Sequence, residues 1–128
     1  MKATILTLVD GTIKVNAVND PEWVDVDEHG SERGLANQAA DLHKFANATV
    51  LVHRIPAGHH FPVHTSPDRF SVAHVVTGKG VLTLPGDQRI PFSAPETFIF
   101  EPNTLHGWHD ISEDTLLAIC NVDVEERQ

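Results

Sequence analysis

Apolar residues along the chain either alternate with polar ones or run unbroken for a few positions, and both patterns predict β-strands. "TIKVNAV" (12–18) sets Ile13, Val15 and Ala17 on one face and Thr12, Lys14 and Asn16 on the other. "ATVLVHRI" (48–55) is β-branched and nearly continuous, which suits a strand covered on both faces. "SVAHVV", "GVLTL", "TFIFE" and "LLAICNV" follow. Turn chemistry separates them: "PAG" at 56–58, "SPD" at 66–68, "GKG" at 78–80, "PGD" at 85–87, "SAPE" at 93–96 and "EPN" at 101–103. Many short strands punctuated by Gly and Pro imply an all-β sandwich or barrel. One segment, "SERGLANQAADLHKF" (31–45), is polar and Ala-rich and is expected to form a helical turn or two or an irregular arm. With no repeat or linker composition, one domain is expected, with 1–47 as an N-terminal arm and strands joining a barrel whose core spans 48–124.

Composition narrows the setting. The chain has 128 residues, enough for one domain with a sizeable core, and 41% hydrophobic with 21% charged residues is a globular balance. The longest apolar runs, "ILTLV" and "LLAIC", fall far short of the ~20 residues of a membrane helix, and no signal peptide is visible, so a cytoplasmic protein without a membrane partner is expected. The net charge of −9 comes without a basic cluster, which argues against a nucleic-acid partner, because neutralising phosphates requires one. Cys120 is the sole cysteine and sits in an apolar run, the setting of an inert buried thiol.

Chemistry concentrates in "GHHFPVHTSPDRFS" (58–71) and "PETFIFEPNTLHGWHD" (95–110). No nucleophile elbow, phosphate loop or paired-cysteine motif is present. Gly58, five residues, His64, and then Gly78 at the closing position resemble the first motif of the cupin superfamily, in which Gly, five residues, His-x-His, three or four residues, Glu, six residues and Gly follow one another. Ser66 and Ser71 stand at its second His and its Glu. The second stretch resembles the other cupin motif: His106 matches the His, Asp110 stands for Asn, and Asn103 stands for a Gly and shares its tolerance of a left-handed turn. The resemblance spans roughly 50–122. It implies a cupin-type antiparallel jelly-roll β-barrel with an internal ligand pocket, and a family whose members commonly hold a divalent metal for dioxygenase, isomerase or lyase chemistry.

The departures shape the expected site. His64 and His106 remain as metal ligands, while the serine hydroxyls are poor ligands for a divalent ion. A divalent transition metal (Zn, Ni, Fe or Mn) is therefore expected to be weakly held, with water filling the other positions. His60 shares strand parity with His64 and is the first candidate for a third ligand and for a general base, although it lies ~13 Å away in an extended strand unless a kink intervenes. Ser66, Ser71 and Trp108 are candidate ligand-binding residues, with Trp108 in parity with His106. His43, His53 and His59 read as surface or satisfied core side chains, and His74 as an opposite-face residue suited to a subunit contact. Phe61, Phe70, Phe98 and Phe100 read as core. The expected function is capture of a small polar organic molecule, either for metal-assisted turnover or for binding and sensing without catalysis. A homodimer is expected, with the N-terminal arm as the element that crosses over.

Overall fold

The computed structural model describes residues 2–26, 37–65 and 68–124. Its first unit is a hairpin of β1 (Ala3–Val9) and β2 (Thr12–Val18). The turn is Asp10-Gly11, with φ of 49° and 76°. A two-residue hairpin turn of this hand needs positive φ at both positions, which Asp tolerates and Gly adopts freely. Leu6 opposes Val15 and Leu8 opposes Ile13, so these four share one face, and all are exposed.

The remaining strands form one antiparallel network: β3 (Val24–Asp25), β4 (Gln38–Lys44), β5 (Ala48–Ile55), β6 (Phe61–His64), β7 (Arg69–Leu84), β8 (Gln88–Ser93), β9 (Glu96–Phe100) and β10 (His106–Asp123). Two long strands organise it. β7 pairs with β9 through its first half and with β8 through its second. β10 runs antiparallel to β7 along its length, pairing with β6 at its start and β5 at its end. Both strands thus change partners midway and belong to two facing layers, the arrangement of a jelly-roll barrel. One layer is β3-β4-β5-β10-β7-β9 and the other β6-β10-β7-β8. The β7–β10 register shifts between His109 and Leu117, as strands do at a corner where they switch sheets. Gly78 marks the same corner with φ of 111°, and a Cβ there would lie 2.6 Å from the Cα of Thr115. Asn103 takes φ of 65°, as its place in the turn requires.

Residues 38–44 correct one expectation: they are strand β4, hydrogen-bonded to β5, and not a helical turn or irregular arm. Their alternation is disguised by a register shift between Asp41 and His43, which breaks period two. Residues 31–36 lie outside the described residues. Ile55, Val75, Leu82 and Leu117 are fully buried, and side chains of this type each contribute about 1.5–3 kcal/mol on burial. Phe92 and Phe98 meet the Trp108 ring edge-on and extend this core towards the cavity. Among the described residues no helix is long and apolar enough to cross a membrane.

Candidate functional site

A cavity of ≈ 280 Å³ opens between the two layers. The strand pleat decides what faces it: Leu51 and His53 from β5, Arg69, Ser71 and Ala73 from β7, and Ile119 and Asn121 from β10 are alternate residues on one face. The other layer contributes Phe61, His64, His106 and Trp108, with Thr65 beside them.

His64 and His106 are direct partners in the β6–β10 register. Cross-strand neighbours on one face hold their Cβ atoms about 5 Å apart, and here the ring centroids are 4.5 Å apart. Both rings are oriented by backbone: Nδ1–H of His64 donates to the Pro62 carbonyl (2.9 Å), and Nδ1–H of His106 to that of Thr104 (3.0 Å). A carbonyl can only accept, so Nδ1 carries the proton and Nε2 the lone pair in each neutral ring. Phe100 stacks on His106 at 3.9 Å and 12°, and Phe61 meets His64 edge-on.

His53 is the residue sequence reasoning assigned to the bland category and the structure places in the cavity. It is 7% exposed, and its Nε2 is buried with no hydrogen-bond partner. Burial, then the charge of nearby His64, lowers its pKa from 6.5 to about 4. His106 is lowered to about 4 as well, by burial and by His64, against the raising effect of the Thr104 carbonyl. His53 and His106 are therefore neutral at neutral pH. The signal for His53 was available: two residues from Leu51 and two from Ile55, it shares their inward face.

His60 is corrected in the opposite sense. β6 pairs His64 with His106 but Phe61 with Trp108, three residues against two, so a bulge lies between them. The bulge turns Phe61 and His64 to the same side, which breaks the parity that linked His60 to His64. His60 instead stacks on His109 at 5.3 Å, in a separate cleft with His59 and Asp110. Its backbone carbonyl accepts from Asn37 Nδ2 at 2.7 Å. Neither a third-ligand role nor a general-base role in the barrel cavity fits that position.

Ser71 is buried and donates to Asn121 Oδ1 at 2.5 Å, its partner in the β7–β10 register. Asn121 is a polar wall residue that the sequence motifs do not mark. Trp108 is 3% exposed and lies in the wall, edge-on to His106. Phe61 and Phe100 line the cavity as well as the core, whereas Phe70 is exposed. His74 is outside the lining, bonded to Thr97 Oγ1 at 2.8 Å. Ser66 lies outside the described residues.

Two imidazoles with carbonyl-bound Nδ1 and lone-pair Nε2 have the form of metal-ligating histidines. Among the described residues, however, no group of three or more His, Cys, Asp or Glu side chains is placed to hold an ion. The described residues thus offer an ion two imidazoles.

Solved structures resemble the fold at low sequence identity. The cupin domain of Cnp3 from Schizosaccharomyces pombe superposes with a TM-score of 0.72 at 15% identity, covering 95% of this chain and 87% of that one. KdgF from Halomonas sp. gives 0.67 at 19% identity, covering 84% and 94%. Ectoine synthase from P. lautus gives 0.65 at 10% identity, covering 84% and 73%. Comparison with curated proteins gives no match. Residues 51–122, more than half of the chain, match the family model described as Cupin domain, a span that holds both motifs together with His64 and His106, and the chain belongs to the cupin family.

Proposed function

We propose that this cupin captures a small polar organic molecule in the barrel cavity, with His64 and His106 as the centre of recognition. The observation that carries this reading is the pairing of those two backbone-oriented imidazoles within an internal cavity of ≈ 280 Å³. That volume lies near the lower end for ligand pockets and restricts the occupant to a compact molecule.

In the catalytic form of this proposal the class is dioxygenase, isomerase or lyase, and His64 and His106 would hold a divalent transition ion weakly. Such an ion would act as a Lewis acid on a substrate oxygen. The protein's own contributions are positional. Thr104 and Pro62 carbonyls fix the two rings, Phe100 and Trp108 shield one side from water, and the Ser71–Asn121 pair offers a polar wall. His53, neutral and buried, is placed to take a proton or a hydrogen bond from a bound molecule. A second reading, binding or sensing without turnover, is favoured by the commitment of the Ser71 hydroxyl to Asn121 and by the absence, among the described residues, of a third metal-ligating group.

Metal analysis of tag-free protein before and after dialysis against chelator separates the two. The proposal expects little ion to survive dialysis. A stoichiometric ion that resists chelation would refute the open two-imidazole site. We also propose a homodimer in which the β1–β2 hairpin, with its exposed apolar face, packs against the second copy.

A further inference from the structure

The geometry points to a small organic carboxylate as the occupant of the cavity, its carboxylate held by Arg69 and its other polar groups by His53 and Thr65; this rests on the reading of the cavity as the binding site.

Three observations converge. First, the described lining offers three imidazoles, two hydroxyls, one amide and one guanidinium, and no carboxylate. The chain as a whole has 18 acidic against 9 basic residues, so a wall without acid departs from the rest of the molecule. An anion entering a low-dielectric cavity needs a paired cation and suffers from any carboxylate in the wall.

Second, Arg69 is the cation in that wall, and it is only partly committed. Its Nε is paired with Asp123 Oδ1 at 2.9 Å, and the side chain is half-exposed. Pairing through Nε leaves the two terminal nitrogens of the fork as donors, and the planar fork matches a carboxylate. Arg69 opens β7, two residues from Ser71 on the same face, so a carboxylate held there lies beside the polar wall.

Third, two lining atoms are buried without a hydrogen-bond partner: Nε2 of His53 and Oγ1 of Thr65. Buried polar atoms are nearly always satisfied, and two orphans in one cavity mark where a ligand's polar atoms belong. A hydroxyl or carbonyl on the acid meets that need, since Thr offers a donor and acceptor and neutral His an acceptor or donor. Neither residue lies at a motif position of the family pattern described above.

The test uses matched acid and amide pairs, which share shape and differ in charge: glycolate and glycolamide, lactate and lactamide, malate and malamide, gluconate and gluconamide. Binding is followed on chelator-treated protein, so that no ion supplies the charge, through the ring resonances of ¹³C-labelled His64 and His106. At least one acid is expected to bind about tenfold or more tightly than its amide, the scale of one charge-assisted pair. Arg69→Gln should abolish that preference. Asp123→Asn, which breaks the ion pair but leaves the guanidinium, should keep or raise it. Thr65→Val and His53→Leu should weaken acid and amide alike. Equal affinity within every pair, or a preference that survives Arg69→Gln, overturns the carboxylate inference and leaves the cavity reading standing. If no acid or amide moves either resonance, both fall together.

Discussion

Mild acid should destabilise this protein before its carboxylates titrate. His53 and His106 are 7% and 6% exposed, and burial with the nearby His64 lowers both from 6.5 to about 4. In the unfolded chain both rings return to the ordinary value. The sign follows from proton counts: below the unfolded pKa the unfolded state binds more protons than the folded one. The stabilising contribution is therefore complete above about pH 6.5, shrinks as pH falls, and is gone once pH passes through about 4. At 1.36 kcal/mol per pKa unit, each ring contributes about 3 kcal/mol across the window, of which about 2 is lost by pH 5. Two rings give a loss of about 4 kcal/mol at pH 5, a large share of the 5–15 kcal/mol typical of a domain. Urea denaturation of chelator-treated protein at steps from about pH 8 to about pH 5 measures this, above the range where ordinary carboxylates dominate. Ring NMR titrations of the labelled histidines assign it. His53→Leu should reduce the pH slope by about half. A parent whose stability is flat between about pH 7 and about pH 5, or a His53 ring that titrates near 6.5, would refute the reasoning.

Three further outcomes are expected. Gly78→Ala should cost about 3 kcal/mol or more in thermal or urea denaturation, because its Cβ would meet the Thr115 backbone at 2.6 Å and its φ of 111° disfavours a side chain; an unchanged melting temperature would contradict the packing at this corner. Light scattering at micromolar concentration should show a dimer, and Leu8→Asp should convert it to the 14.1 kDa monomer; a parent that runs only at 14.1 kDa removes the proposed assembly. Ser66→His should raise Zn²⁺ or Ni²⁺ affinity over the parent, and Ser71→Glu added to it should raise it further, each supplying a stronger ligand than a hydroxyl; equal titration curves for all three proteins would show that these positions do not face the ion.

His64 and His106 were legible because motif spacing fixes register, and register places them opposite one another on β6 and β10. Period-two parity found β2, and the unbroken β-branched run found β5. It failed wherever a bulge adds a residue. The bulge between Phe61 and His64 sent His60 to the outer cleft, and the shift between Asp41 and His43 hid β4 behind a pattern that looked irregular. His53 was misjudged for a different reason. Its inward face was readable, but whether a buried imidazole finds a partner depends on side chains up to dozens of residues away, which no local pattern reports. Asn121 likewise gains its role only from Ser71 across the ladder. In the first hairpin an Asp-Gly pair between an apolar run and an alternating one is itself a turn signal.

β10 supplies His106 and Trp108 at one end and Ile119 and Asn121 at the other, and it is the strand to which β5, β6 and β7 are all bonded. During synthesis on a ribosome, therefore, no cavity exists while the first hundred or so residues are made. β5 has its partner β4 by then, and β7 has β8 and β9, but the edge that each presents to β10 has no strand to pair with. Closure of the layers and creation of the ligand site are one event, timed by the emergence of residues 106–121, so that a molecule which stabilises the finished pocket has nothing to hold in any shorter nascent chain.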